Sequence, residues 1–252
     1  MQHFYVIKFP RWKRWFIVTL FALIADFFIS IERDGAFSVF ESDEPVVLSK
    51  GSDKEENIAL TFNISWGEER VHHILDKLNQ HDVQATFFVS GEWAERHPEI
   101  VEKIVENNHE LGMLGYRYKS YLDQEIDQVR RDLLQALETF SKLGHKDIRL
   151  LRTPSGHFNK DIIELAEQLD FKVIHWNVNP NDWKNPGSEA IIDTVMKETS
   201  NGDIILMHAS DSAKQTANAL ETILPGLTNK GFHFVSISEL INQAHADSEL
   251  VE

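Results

Sequence analysis

From Ile58 almost to the C-terminus, short apolar segments alternate with amphipathic ones. The first apolar segment, Ile58–Phe62, is typical of a β-strand. A helix is predicted after it, near Glu68–Asn79, because apolar residues recur there three and four positions apart. About seven strands, each paired with a helix, follow one another in this way. This order indicates an α/β fold with a parallel sheet rather than a sandwich.

The remaining elements are predicted in the same alternating order. Further strands are expected at Gln84–Val89, His109–Leu114, Ile148–Leu151, Phe171–Val178, Asp203–Met207 and Phe232–Val235. Further helices are expected at Trp93–Glu106, Asp123–Leu143, Lys160–Leu169, Ser188–Thr199, Ala213–Leu227 and Ile237–Ala246. Pro98 is predicted to lie in the first turn of the second part of its helix. A short edge strand is predicted at Pro45–Leu48.

Size and composition restrict the class of protein. A chain of 252 residues holds one large domain or two small ones. Its formal charge of -15 argues against nucleic acid as a partner, because phosphate would be repelled. The chain has no cysteine, which excludes disulfide scaffolds, thiol catalysis and zinc sites built on cysteine.

Basic residues precede an apolar run near the N-terminus. Lys8, Arg11, Lys13 and Arg14 come before Phe16–Ile31. Positive residues on this side place the N-terminus in the cytoplasm. The run is somewhat shorter than the about 20 residues that span a bilayer, and an aspartate within it costs roughly 2.5–3.5 kcal/mol at mid-membrane.

We expect this segment to be an uncleaved signal anchor. The cell membrane is then the partner of the N-terminal helix, and the rest of the chain lies outside the cytoplasm. A cleaved signal peptide is the rival interpretation and would give a secreted protein, although no clean small-x-small site follows Ile31. A buried core helix is the third interpretation of this segment. The predicted domains are a cytoplasmic stub with the anchor at 1–31, a linker at 32–57, a catalytic-type domain at 58–246 and an acidic tail at 247–252.

The segment Ala59–Gly67 is where we expect the chemistry of the domain. Its strand-like part breaks at Ser65 and Gly67 and leads into a helix. In parallel α/β domains, residues at the C-terminal ends of the strands face the active site. Asn63 and Ile64 occupy that place.

Four motifs in this order resemble those of the polysaccharide deacetylases, the NodB-like carbohydrate esterase family. They are the strand end at Asn63, Arg152–Gly156 after another strand, Trp176–Trp183, and Ile205–His208 at the end of a later strand. The resemblance covers roughly Ile58 to Ala244. It implies a distorted (β/α) barrel of the NodB type behind the anchor helix.

The resemblance also implies roles for individual residues. The family's general acid corresponds to His208, the arginine that orients the base to Arg152, and a possible orienting carboxylate to Asp182. The position of the catalytic base is held by Asn63. The groove that binds substrate would include Pro154, Gly156, Trp183, Leu206 and Tyr116.

The family holds a divalent metal such as zinc with one aspartate and two histidines, at positions that correspond here to Ile64, Leu114 and Tyr118. Isoleucine and leucine have no electron pair to donate, and tyrosine is a poor ligand at neutral pH. Asn63 has no proton affinity useful near pH 7 and cannot activate water. We therefore expect no metal cofactor and impaired catalysis.

Other polar and aromatic residues leave alternatives open. Asp211 lies close to His208 in sequence, so either Asp182 or Asp211 is a candidate partner for this histidine. Five more histidines have no assigned role. His72 and His73 are neighbours on a predicted helix and would make only a weak chelate. Solvated or capping roles are favoured for His109, His157 and His175. Aromatic residues such as Trp66 and Trp93 either stack on sugar rings or belong to the core.

The motif details are most similar to the PdaB-like sporulation branch of the family, which implies an endospore-forming bacterium and a role in the spore cortex. Two functional hypotheses follow. One is an N-deacetylase of peptidoglycan N-acetyl sugars; the other is a non-catalytic envelope protein that binds wall polymer or a morphogenetic partner. A third interpretation is metal-free hydrolysis around His208, for which loss of His208 abolishes activity and a chelator does nothing.

Overall fold

A computed structural model describes the backbone of residues 46–249 and the side chains of residues 46–244. The predicted anchor at 1–31, most of the predicted linker and the end of the acidic tail lie outside these residues. Between residues 46 and 249, no helix combines the length and the hydropathy needed to span a membrane.

Between residues 46 and 249, eight strands and eight α-helices follow one another along the chain. The strands are β1 (Val47–Leu48), β2 (Asn57–Ile64), β3 (Thr86–Val89), β4 (Glu110–Met113), β5 (Leu150–Leu151), β6 (Lys172–Ile174), β7 (Ile204–His208) and β8 (His233–Phe234). The helices are α1 (Glu69–Gln80), α2 (Gly91–Arg96), α3 (Pro98–Glu106), α4 (Ile126–Lys142), α5 (Lys160–Gln168), α6 (Ser188–Glu198), α7 (Thr216–Asn229) and α8 (Ile237–Glu249). Short 3-10 helices cover Tyr121–Asp123, Pro154–Gly156 and Asp182–Lys184.

The strands form one curved, parallel half-barrel. Their order is β1-β6-β5-β4-β3-β2-β7, and β8 pairs with the start of β2. Single-residue bridges join Lys50 to Asp203 and Val178 to Ile205, so the segments beside β1 and β6 reach the far edge at β7. The predicted parallel α/β sheet is confirmed, and the barrel predicted from the family resemblance is present as a half-barrel.

Some boundaries differ from the sequence prediction for local reasons. The helix predicted at Trp93–Glu106 is two helices that meet at His97, because Pro98 starts a new first turn and has no N–H to continue the preceding one. The strand predicted at Phe171–Val178 ends at Ile174. His175 then donates its N–H to the carbonyl of Leu48.

Part of the predicted linker at 32–57 belongs to the sheet. Val47 pairs with Val173, and the Gly51 N–H donates to the Gly202 carbonyl over 2.8 Å. The predicted edge strand at Pro45–Leu48 is therefore observed as β1. These contacts join residues more than a hundred positions apart, which local periodicity does not reveal.

The core lies on both faces of β2, whose eight residues are all buried. Ile58, Leu60, Phe62 and Ile64 pack in the larger apolar cluster, which contains buried residues of the helices. Alternate residues of a strand point to opposite faces. Ala59 accordingly packs in a second, smaller cluster with residues of β3, β5 and β6.

Candidate functional site

A cleft of about 410 Å³ opens at the C-terminal ends of β2 and β7. Asn63 and His208 lie next to each other on its floor, because the two strands pair them in register. The loops that follow the strand ends complete the walls. The lining residues are Asn63, Ser65, Trp66, Tyr118, Ser155, Trp176, Asn179, Asn181, Trp183, Leu206, His208, Ser210 and Ser212.

Arg152 is fully buried immediately beside this floor. Its guanidinium donates hydrogen bonds to Thr61 Oγ1 at 2.9 Å, Asn63 Oδ1 at 3.0 Å, the Ile174 carbonyl at 3.3 Å and the His175 carbonyl at 3.1 Å. Every one of these acceptors is uncharged. The buried cation is therefore held by neutral oxygens rather than by a carboxylate.

Aromatic rings and burial define the electrostatics of Arg152. The guanidinium carbon lies 4.0 Å from the centre of the Phe88 ring and 5.4 Å from that of Trp176. Ring faces attract cations and partly replace the lost hydration. Burial lowers the pKa of Arg152 to about 9, so the side chain still carries its charge at pH 7.

His208 is paired with Asp182. Its Nδ1 lies 2.8 Å from Asp182 Oδ1, and its backbone N–H donates to Asp182 Oδ2 at 2.7 Å. Thr216 and the Trp183 N–H also donate to this fully buried carboxylate. A carboxylate accepts only, so Nδ1 carries the proton and Nε2 of the neutral ring is an acceptor.

Asp211, the other candidate partner of His208, has a structural role instead. Its carboxylate accepts hydrogen bonds from the backbone N–H groups of Glu68, Glu69 and Arg70, at 2.8–3.1 Å. These groups are the unsatisfied donors of the first turn of α1. Asp211 thus caps this helix and fixes the loop after β2 to the loop after β7.

The turn Pro154–Gly156 forms one wall of the cleft through Ser155. Gly156 has a φ of 71°, and a Cβ at this position would lie 2.3 Å from the Trp176 ring. Glycine is therefore required both by the backbone conformation and by the close approach of the ring. Pro154, the first residue of the turn, is buried.

Three aromatic side chains form an exposed rim around the cleft. Trp66 is 63% exposed, Trp183 48% and Tyr118 41%. Large apolar side chains with this exposure, gathered at one cleft, mark a binding surface rather than a core. Trp176 lies deeper and is stacked on His175, with ring centres 3.9 Å apart.

The structure brings most of the predicted substrate-binding residues together. Trp183 and Leu206 line the cleft, and Gly156 adjoins it through Ser155. Tyr116 is placed elsewhere: its hydroxyl donates to Glu95 on α2 at 2.8 Å. Sequence analysis did not select the polar cleft residues Ser65, Ser155, Ser210, Ser212 and Asn181, although each follows a strand end, which was the available signal.

The family's metal positions do not fit a divalent cation in this chain. Ile64 and Leu114 are fully buried, and they pack in different apolar clusters. Tyr118 is separate from both on the exposed rim. Among the described residues, no three histidine, cysteine, aspartate or glutamate side chains form a group that could hold a metal ion. Hydrocarbon side chains cannot replace the nitrogen and oxygen ligands that such an ion needs.

The five histidines that sequence analysis left without a role lie away from the floor of the cleft. His72 and His73 are on α1, and His157 is exposed. Burial lowers the pKa of His175, whose Nδ1 lies 3.0 Å from the Trp176 carbonyl. His109 is buried at the start of β4, and burial lowers its pKa to about 4.

Comparison with known proteins identifies the family. The polysaccharide deacetylase family model matches residues 50–174. A peptidoglycan-N-acetylglucosamine deacetylase of Bacillus cereus is 33% identical over 194 residues, which is 76% of this chain and 91% of the relative. The chain belongs to the polysaccharide deacetylase family.

Solved structures include neighbours that are described as pseudoenzymes. A CE4 family pseudoenzyme from Bacillus anthracis superposes with a TM-score of 0.74 at 30% identity, over 78% of this chain and 69% of that one. A mutant of the same protein, described as having restored enzymatic activity, matches with a TM-score of 0.74 at 30% identity, over 78% and 71%.

Proposed function

We propose that this chain binds the N-acetylated glycan of peptidoglycan without deacetylating it. The observation that carries the proposal is the chemistry at the strand ends, where hydrocarbon replaces two metal ligands and an amide replaces the base. Water activation in this family's manner needs both a base and a metal. Asn63, Ile64 and Leu114 supply neither.

The cleft keeps what sugar binding requires. Exposed tryptophan and tyrosine rings suit stacking on the apolar faces of sugar rings. The polar floor and the serines and asparagines of the walls provide hydrogen-bond partners for hydroxyl and acetamido groups. Peptidoglycan is the ligand we infer because the Bacillus cereus relative is named as a deacetylase of peptidoglycan N-acetylglucosamine.

A second candidate is N-deacetylation without a metal. The observation that favours it is the hydrogen bond of His208 to Asp182, which keeps the family's acid in place. This candidate predicts acetate release that resists chelator and is abolished by His208→Ala. Glycan binding without hydrolysis predicts no release from either form.

The cellular setting belongs to the same proposal. We infer from the basic and apolar N-terminal sequence that a signal anchor holds the domain on the outer side of the cell membrane, or in the spore intermembrane space. The motif similarity to the sporulation branch supports a role at the spore cortex. Localisation of a fluorescent fusion during sporulation tests both points, and uniform cytoplasmic fluorescence would contradict them.

Binding is tested by calorimetry of the full-length chain, in mild detergent, with oligomers of β-1,4-linked N-acetylglucosamine and by sedimentation with purified peptidoglycan. The wild type is expected to bind both, and Trp66→Ala with Trp183→Ala to weaken binding by about tenfold or more, since each ring loses its stacking area. Leu134→Ala is the matched control, because Leu134 is 46% exposed on α4, away from the cleft. Absence of binding by the folded wild type would contradict the proposal.

A further inference from the structure

The orientation of the Asn63 side chain is fixed by Arg152. An arginine guanidinium donates hydrogen bonds and has no acceptor. The 3.0 Å contact with Arg152 Nη1 therefore assigns the amide oxygen Oδ1 to the buried side. The amide nitrogen Nδ2, with its two N–H donors, must lie on the other side.

Nδ2 of Asn63 faces the cleft. Within the described part of the chain it has no hydrogen-bond partner, yet it is not among the enclosed unsatisfied atoms, which are Asn107 Nδ2 and His109 Nε2. Asn63 lines the cleft, and its exposed fraction of 4% is therefore at the cleft floor. Two unused donors consequently point at any bound ligand.

A complementary acceptor lies beside these donors. His208 is paired with Asn63 in register on the neighbouring strand. Its Nδ1–H is held by Asp182, and its Nε2 has no hydrogen-bond partner among residues 46–244, so the lone pair of Nε2 is available to a ligand. A donor next to an acceptor matches a group that both accepts and donates. A hydroxyl does so through a single oxygen, whereas the acetamido group of an N-acetylated sugar accepts through its carbonyl and donates through its N–H, on two separate atoms.

We propose that Asn63 and His208 together recognise the acetamido group of the sugar, with Asn63 Nδ2 donating to the carbonyl oxygen and the acetamido N–H donating to His208 Nε2. This inference rests on the proposed function and goes further, because it makes the cleft selective for N-acetylated over de-N-acetylated glycan. Asn63 is then the residue that determines specificity.

Charge at the floor adds to this selectivity. The amide of Asn63 is polarised by the cationic Arg152, which strengthens its N–H donors. Deacetylation would leave an amino group that offers donors to Asn63 and, when protonated, a positive charge close to a buried guanidinium. A carboxylate at position 63 would reverse the preference for N-acetylated glycan. It only accepts hydrogen bonds, and its negative oxygens would repel the carbonyl oxygen of the acetamido group.

The variant Asn63→Asp distinguishes a role of Asn63 in ligand recognition from a purely structural role. The new carboxylate would pair with the buried Arg152, so the melting temperature is expected to rise. Affinity for the N-acetylglucosamine oligomer is expected to fall at least about tenfold, because the donors are lost. A purely structural role for Asn63 would make stability and affinity change in the same direction.

The experiment is calorimetry of the full-length wild type and of Asn63→Asp with N-acetylglucosamine oligomers and with glucosamine oligomers of equal length. Asn159→Asp is the control: Asn159 caps α5 with its side-chain oxygen, so this change adds the same charge outside the cleft and keeps the cap. It is expected to leave affinity unchanged.

The outcomes are distinguishable. A wild type that prefers the N-acetylated oligomer by about tenfold or more, with the preference lost in Asn63→Asp, supports the inference. Equal binding of the two oligomers, or unchanged preference in Asn63→Asp, overturns it while glycan binding stands. Binding of neither oligomer by the wild type means that the proposed function itself has failed.

Discussion

At position 63, one atom separates the amide of asparagine from the carboxylate of the family's base, and the environment magnifies that difference. The neighbouring Arg152 is fully buried, and the family resemblance gives it the place of the arginine that orients the base. Here its charge is spread over neutral oxygens and two aromatic rings. The same arginine that would favour an ionised base instead fixes the direction of an amide.

The chemical properties of individual side chains were the part of the site that could be predicted most fully from the sequence. That Ile64 and Leu114 cannot bind a metal follows from their composition alone. The choice between Asp182 and Asp211 as partner of His208 did not follow, because sequence proximity favours neither geometry. The structure decides it: one carboxylate meets the imidazole and the other meets the backbone of α1.

His109 makes stability depend on pH. Its Nδ1 accepts the Ala85 N–H at 3.3 Å, and its Nε2 has no hydrogen-bond partner among residues 46–244. A second proton, on Nδ1, would break that hydrogen bond and place a charge in a buried site, so it is costly. The folded state holds His109 neutral down to its lowered pKa of about 4. The unfolded chain takes up this proton near pH 6.5, so it binds more protons than the native state between these values, and stability falls as pH falls through this window.

His109→Asn is therefore expected to reduce the loss of unfolding free energy between pH 6.5 and 4 by up to about 3 kcal/mol. Asparagine offers the Ala85 N–H an oxygen and does not titrate. Urea unfolding at a series of pH values measures this. The exposed His233, changed in the same way, serves as the control, and this variant should lose as much unfolding free energy at acid pH as the wild type. A loss of unfolding free energy in His109→Asn as large as that of the wild type would contradict the account.

At the scale of elements, the site results from the way parallel strands end together. β2 and β7 are paired along five residues, which brings Asn63 and His208 side by side although they are far apart in sequence. The alternation of strands and helices was sufficient to predict that strand ends converge. It could not predict the partner of β1, which is two residues long and pairs with distant β6.

The Asp211 cap connects two of these strand ends. Asp211→Ala removes an acceptor from three backbone N–H groups at the start of α1 and is expected to lower the free energy of unfolding by about 1–2 kcal/mol. Denaturant unfolding measures the loss. Asp193→Ala on α6 is the matched control, because it breaks only an exposed pair with Lys197 and should cost less than about 0.5 kcal/mol. Equal costs for both variants would contradict the capping role.

At the scale of the whole molecule, the family scaffold is retained while its site carries different residue types. The half-barrel, the cleft and the His208–Asp182 pair are all present. Four positions carry the difference. Ile64 and Leu114 flank the end of β3, since Ile64 pairs with Val89 and the Leu114 N–H donates to the Val89 carbonyl.

Restoring the family residues at these positions is expected to restore a metal site. The variant that combines Asn63→Asp, Ile64→Asp, Leu114→His and Tyr118→His should lose stability without metal, because polar groups enter apolar clusters, and should regain it with Zn²⁺. Thermal unfolding with and without Zn²⁺ measures this. The pseudoenzyme neighbour with restored activity makes the experiment realistic.

The control for this variant retains Leu114 and carries the other three changes. It lacks one ligand and should show a clearly smaller rise in melting temperature with Zn²⁺. An equal rise in both variants would mean that the assigned ligand positions are wrong.

The most direct test of binding without hydrolysis is acetate release from purified peptidoglycan by the full-length wild type, measured with added divalent metal, without it and with chelator. The account predicts no release above the buffer control in any condition, from protein that is folded and still sediments with the polymer. Release that depends on metal and stops with chelator would contradict it, and would show that other residues of this chain replace the family's ligands.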